Sequence, residues 1–255
     1  MSKNNFFHKI LAYIYYWVAD KYLLRNDYVF QPKNLKSIFY LPYIRTDMIQ
    51  KTIFRYNNYF ENRSLSFLCK VWKDGIIGNA LKNKAVLDIG ANIGNHTLYF
   101  LNECQAKFVY CFEPATDTFK ILQRNVEINH LEEVTSLINA GVGSSSGKGC
   151  IRSSREGNTG FTVIEPSLDG DVRIVAIDDM NICESIGLVK IDVEGFEVEV
   201  LEGMLKTIEQ NMPFMMIEVD NTNQNSVFSI LERYGYKHIS LNIYGKNANY
   251  LFYPV

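Results

Sequence analysis

The sequence predicts an α/β fold of the doubly wound, Rossmann-like kind, with a mostly parallel seven-stranded sheet, helices on both faces and an N-terminal helical extension. Two observations carry that expectation. From Ala85 onwards, short apolar runs alternate with longer amphipathic stretches, the pattern of strand-helix-strand units. The first apolar run ends in Asp88-Ile89-Gly90-Ala91-Asn92-Ile93-Gly94-Asn95-His96, a turn whose glycines let backbone approach a ligand.

Residues 1–83 read as the helical, aromatic extension. Phe6 to Trp17 is rich in aromatic and aliphatic residues, but the apolar stretch Ile10 to Ala19 is about half the length of a membrane-spanning helix. Asp20, Lys21 and Arg25 close it. Two readings of residues 6–25 stand: a helix packed on the core, or a peripheral helix at a membrane interface with Tyr13, Tyr16 and Trp17 at headgroup depth. Further on, Leu65, Leu68, Cys69 and Trp72 follow helical spacing and predict a helix over Asn62 to Trp72.

Residues 84–255 read as one ligand-binding domain. Strands are expected at Ala85 to Ile89, Phe108 to Phe112, Val134 to Asn139, Leu188 to Asp192 and Phe214 to Val219, with Tyr236 to Leu241 and Tyr250 to Tyr253 as a closing antiparallel pair. Helices are expected at Asn95 to Glu103, Thr116 to Asn129, Phe196 to Gln210 and Val227 to Tyr234. Gly141 to Gly149 reads as a loop. Gly147 to Val172, with Arg152, Arg155 and Gly157-Asn158-Thr159-Gly160 and with Arg173 just beyond, reads as a hairpin or lid.

Composition narrows the function. A net charge of -2 and the lack of a long basic run argue against a nucleic-acid partner. The five cysteines are widely spaced and odd in number, which fits isolated thiols in a reducing cytoplasm rather than a disulfide frame or a zinc clip.

Right-handed crossovers put ligands at the carboxyl ends of the strands. There Gly90, Ala91, Asn92, Gly94 and Asn95 form a loop into a helix whose free amides suit an anionic group. A dinucleotide fingerprint would want a further glycine at Asn92, so the loop suits a smaller carboxylate, with Asp88 placed for an ammonium. These features match the methionyl end of S-adenosylmethionine. Glu113, before Pro114, ends the second strand where a carboxylate would accept both ribose hydroxyls, or would cap the next helix. Asn139 and Ala140 would border the adenine.

Asp88 to Asn95, Phe112-Glu113-Pro114, Ala176-Ile177-Asp178-Asp179 and Lys190-Ile191-Asp192-Val193-Glu194-Gly195-Phe196-Glu197 together resemble the FkbM family of methyltransferases over about residues 60 to 220. The resemblance implies a class I methyltransferase fold, S-adenosylmethionine as cofactor and an O-methyltransferase. It further implies an acceptor among surface-polysaccharide or glycolipid sugars, or among small secondary metabolites. Where the family commonly has aromatic or small residues, this chain has Asn95-His96. His96 is then either an acid/base contact above the cofactor or a solvent-exposed histidine at a helix start.

Asp192 and Glu194 would sit beside the reacting methyl and either could accept the hydroxyl proton. Lys190 could pair with Asp192 or orient the acceptor oxygen; the three could equally form a buried ion pair at the start of a helix. Magnesium held by Asp192, Glu194 and Glu218 or Asp220 is a further reading. From other functional classes, a nicotinamide-dependent oxidoreductase and a non-catalytic nucleoside-binding scaffold share the fold. The expected location is the cytoplasm or the inner face of its membrane.

Overall fold

The computed structural model describes residues 3–153, 162–167, 169–244 and 247–255. The extension contains α1 (Lys3–Leu24), the short antiparallel pair β1 (Val29–Phe30) and β2 (Phe39–Tyr40), α2 (Met48–Tyr56), α3 (Asn62–Ser66) and α4 (Ile76–Leu81). The single helix expected over Asn62 to Trp72 is instead α3 followed by a π-helical turn, Phe67–Val71. It stops because Lys73 (φ 45°) and Asp74 (φ 58°) turn left-handed, after which α4 packs back so closely that a Cβ on Gly78 would lie 2.4 Å from the Cys69 carbonyl oxygen.

The extension shares one apolar core with the sheet. Leu23, Phe39, Leu41, Ile44 and Ile53 cluster with Val86, Leu98 and Phe100. Amides then fix it in register. Asn125 Oδ1 accepts from Tyr40 N (2.5 Å) while its Nδ2 donates to Ile93 O (2.7 Å). Asn129 exchanges two bonds with the Ile38 backbone, at 2.8 and 2.7 Å, and Asn95 does the same with Phe60, at 2.9 and 3.1 Å. Buried backbone groups that no sheet satisfies thereby find partners.

The following elements are β3 (Ala85–Ile89), α5 (Asn95–Asn102), β4 (Phe108–Phe112), α6 (Thr116–Ile128) and β5 (Thr135–Ile138), and then the short strands β6 (Gly141–Val142), β7 (Gly147–Ser153), β8 (Thr162–Pro166) and β9 (Val172–Val175). After them come β10 (Ile186–Ile191), α7 (Glu197–Glu202), α8 (Leu205–Asn211), β11 (Phe214–Asp220), α9 (Gln224–Arg233), β12 (Tyr236–Tyr244) and β13 (Asn247–Pro254). The main sheet has seven strands in the order β12-β13-β11-β10-β3-β4-β5. β11, β10, β3, β4 and β5 are parallel, and the closing hairpin is antiparallel, as the alternation of elements predicted. This is the mixed seven-stranded sheet with helices on both faces that the sequence predicts.

Two further expectations need correction. Gly141 to Gly149 is not all loop: its ends are β6 and the start of β7, which join β8 and β9 in a separate four-stranded sheet. Val142 pairs with Val175 and Gly147 with Ile174, so apolar partners override the local glycine content. The helix expected over Phe196 to Gln210 breaks at Gly203-Met204 into α7 and α8. Gly203 there meets Gly143 so tightly that a Cβ would lie 2.0 Å from its carbonyl oxygen, and Asp178 N bonds Gly203 O.

The hairpin expected within Gly147 to Val172 exists as β7 paired with β8. Arg155 and Gly157-Asn158-Thr159-Gly160 lie outside the described residues. Among the described residues no helix is long and apolar enough to cross a membrane.

Candidate active site

Register places a row of polar groups on one face of the sheet. Asp88 on β3 stands opposite Lys190 on β10, which stands opposite Met216 on β11. One pleat further on, where side chains return to the same face, come Gly90, Asp192 and Glu218, the last opposite Asn249 on β13. The other face of the same strands is apolar throughout.

The crossing of two loops forms the floor. Gly90 N and Ala91 N bond Phe112 O, and Asp192 N bonds Ile89 O. Gly90 has φ +76°, and a Cβ there would lie 1.8 Å from the Asp192 carbonyl oxygen, so only glycine lets the loops pass. Lys190 holds the crossing from beneath, its Nζ donating to Gly90 O at 2.5 Å. It also lies 3.4 Å from Asp88 Oδ1 and 3.7 Å from Asp192 Oδ2. Burial alone would push the ammonium pKa down, but the Asp88 and Asp192 carboxylates more than offset this and hold it above its ordinary value.

Asp88 is fully buried. Its Oδ2 accepts from Thr97 Oγ1 at 2.6 Å, and it does not line the cleft. The cleft above the floor is bordered instead by Gly90, Asn92, Glu113, Pro114, Ala140, Asp192 and Glu194 among the expected residues, and by apolar groups that include Phe112, Val142 and Phe196. Val142 escaped the sequence reading, and Phe112 and Phe196 entered it only as parts of motifs, because apolar residues beside strand ends look like ordinary core.

Glu113 takes the capping role expected of it. Its Oε1 accepts from Ala115 N (2.8 Å), the residue that caps α6, and its Oε2 accepts from Asn92 N (3.0 Å). Burial outweighs these bonds and raises the carboxyl to about 7. Asn92 takes a left-handed conformation, φ 51°, which turns its amide towards that carboxylate. Ala91 and Asn95 are buried and do not border the cleft; a Cβ on Gly94 (φ +86°) would lie 2.7 Å from Leu122 Cδ1. Asn139 is exposed, and its Nδ2 ties down Glu113 O (2.8 Å) and Pro114 O (3.2 Å), while its neighbour Ala140 reaches the cleft.

The segment Lys190 to Glu197 divides its labour residue by residue. Asp192, Val193, Glu194 and Phe196 face the cleft. Glu194 (φ 52°) and Gly195 (φ +99°) reverse the chain in left-handed conformations, a strain stored beside the site. Glu197 Oε1 accepts from Gly195 N, and its Oε2 accepts from Asn223 Nδ2, both at 2.7 Å. Burial, then Asp192, Glu218, Glu197 and Asp220, raise the Glu194 carboxyl to about 8. Burial and Asp192 raise Glu218 to about 7 against a bond from Asn247 Nδ2 at 2.9 Å.

His96 corrects the expectation of a solvent-exposed helix start. It is buried, its Nε2 is 3.4 Å from Glu61 Oε2, and its ring stacks near Phe100. Glu61, which the sequence reading missed, comes from the extension and has a left-handed backbone, φ 55°; Asn249 Nδ2 donates to its Oε1 at 3.4 Å. Burial would raise Glu61, but His96 and Lys190 hold it below its ordinary value.

Asp220 Oδ1 accepts from Thr222 N and Oγ1 at 2.8 and 2.6 Å. Among the described residues no group of three or more His, Cys, Asp or Glu side chains could hold a metal ion. Asp178 in the Ala176-to-Asp179 segment instead caps α8, accepting from Lys206 N and Thr207 N at 2.8 and 2.9 Å.

Residues 88–238 match the methyltransferase FkbM domain. The chain is 31% identical over 150 residues to the hexuronic acid methyltransferase AglP of Haloferax volcanii, covering 56% of this chain and 59% of that protein. It is 26% identical over 163 residues to the methyltransferase sdnD of Sordaria araneosa, covering 50% of this chain and 63% of that protein. It thus spans about 60% of the length of these relatives. Among solved structures it is similar to an FkbM methyltransferase from Methylobacillus flagellatus KT, with a TM-score of 0.49, 18% identity and coverage of 68% of this chain and 44% of that one.

Proposed function

The chain belongs to the FkbM methyltransferase family, and from that premise we propose that it is an S-adenosylmethionine-dependent O-methyltransferase acting on a sugar hydroxyl of a glycan or glycolipid. The observation that carries the reading is the single cleft in which Glu113, the Gly90 crossing and Asp192 meet at the ends of adjacent parallel strands.

The residues fit the cofactor. Glu113 spends one acceptor site per oxygen on backbone amides, and each carboxylate oxygen has a second for a ribose hydroxyl. Phe112, Ala140, Val142 and Phe196 offer an apolar slot for a purine. The Gly90 loop lets backbone approach the amino-acid end. Asp88 serves this reading from below, through Lys190, rather than by touching the ligand.

S-adenosylmethionine supplies a methyl group already activated on a sulfonium. What remains for the chain is to orient an acceptor oxygen and take its proton. Asp192 and Glu194 border the cleft, where either could take it, whereas His96 is paired with Glu61 and is not among the residues that line the cleft. Lys190 keeps its charge and fixes Asp192. This reading gives Asp192, Glu194, Glu218 and Asp220 proton and hydroxyl contacts rather than magnesium ligation. Carboxylates and amides suit a polyhydroxylated acceptor, and a relative named a hexuronic acid methyltransferase supports the sugar class.

Incubation with methyl-tritiated S-adenosylmethionine and either glycans or a small-metabolite extract tests the reading. Label in the glycan fraction is expected. Label confined to the small-metabolite fraction would replace the acceptor class, and reduction of NAD without methyl transfer would replace the reaction.

A further inference from the structure

The face of α1 turned away from the protein is far more apolar than its solvent exposure warrants. Ala19 and Leu23 are buried against the core, whereas Leu11, Ile14, Trp17, Val18, Tyr22 and Leu24 are each 45–57% exposed. Contiguous exposed apolar surface of this kind marks an interaction site.

Lys21 lies on this face, and further cations line the flank of the helix beside it. Lys21 lies 5.5 Å from the Trp17 ring centre, Arg45 5.9 Å from Tyr13 and Lys51 5.5 Å from Tyr16; Arg25 is exposed at the end of the helix. Between α1 and the segment leading into α2 runs a groove of about 660 Å³, with Tyr13, Tyr16, Tyr43, Arg45 and Lys51 among its walls and Asp20 as its acid. Aromatic side chains beside lysine and arginine, on a helix too polar to span, are the composition of an interfacial helix.

We infer that α1 docks this chain on an anionic membrane surface, its apolar face lying in the headgroup boundary and Lys21, Arg25, Arg45 and Lys51 meeting lipid phosphates. Charge decides between this partner and a second copy. A two-fold contact through this face would bring the same basic groups against each other, whereas a phosphate-rich surface complements them. The site stands apart from the cofactor cleft and does not depend on its chemistry.

The test is co-sedimentation of the full chain with vesicles of phosphatidylcholine alone and of phosphatidylcholine mixed with phosphatidylglycerol. Binding to the mixed vesicles, weaker binding to the neutral ones and release by high salt are expected. Arg45→Ala with Lys51→Ala should lower affinity for the mixed vesicles roughly ten-fold or more, and Trp17→Ser with Val18→Asp should remove binding to both. Circular dichroism and urea midpoints matching wild type verify that the variants fold. Equal binding to both vesicles, or no binding by a chain that is instead dimeric in solution, would overturn the inference.

Discussion

His96 Nε2 and Glu61 Oε2 meet at 3.4 Å, joining the helix that follows the glycine turn to the N-terminal extension. Both side chains are largely withdrawn from solvent, so removing one takes a buried partner from the other. His96→Ala should cost about 3 kcal/mol of stability, because the buried Glu61 carboxylate keeps Asn249 but loses the imidazole. Glu61→Gln should cost less. The acid response has a fixed sign. Glu61 titrates lower in the folded chain than its ordinary 4.5, so its stabilisation is complete above the unfolded value and is lost as the pH falls through the folded one. Urea titrations should show wild type and Glu61→Gln converging below about pH 4.5.

Lys190 is a rivet, and its loss should be felt first as instability. Lys190→Met leaves Asp88 buried without its cation and should cost about 3–5 kcal/mol. Adding Asp88→Asn to Lys190→Met should recover part of that loss, a coupling that a double-mutant cycle in urea measures directly.

Gly90→Ala should abolish cofactor binding. The new Cβ would need the space of the Asp192 carbonyl, 1.8 Å away, so the two loops must separate, at a cost of about 3 kcal/mol. Loss of S-adenosylhomocysteine binding together with a lower urea midpoint is expected; unchanged binding would mean that the loops cross differently.

With Glu113 holding the ribose as proposed, cofactor affinity should depend on pH. Its carboxyl is raised to about 7 in the free chain, and in that mode of binding the ribose hydroxyls would donate to the ionised form. Binding should therefore tighten as pH rises from 6 to 8 and should release a proton at the acid end, seen calorimetrically as a dependence on buffer ionisation heat. Glu113→Gln should flatten the profile. The same raised value works against stability, since the neutral form's advantage is present below the unfolded pKa and lost as pH rises through about 7.

The parallel strands were legible because β3, β4, β10 and β11 are short apolar runs buried in the sheet, and buried strands announce themselves by composition. Glu113 and Asp192 were legible because they stand at strand ends. Asn95 was not. Its position in the turn suggested a cofactor contact, yet it bonds the Phe60 backbone, thirty-five residues away in sequence. Nothing local distinguishes an amide that meets a ligand from one that meets a distant peptide group. Asp88 shows the same limit: a carboxylate at a strand tip looks available until Lys190 and Thr97 are seen to occupy it. Glu61 lay hidden for the opposite reason, since a glutamate in a mixed segment gives no sign that the fold will carry it to His96.

The most direct test of the cofactor assignment is calorimetric titration with S-adenosylhomocysteine and, separately, with NAD, on wild type and on Glu113→Ala. Saturable binding of S-adenosylhomocysteine alone, weakened by the substitution, is the predicted result. Binding of NAD with no response to S-adenosylhomocysteine would contradict it.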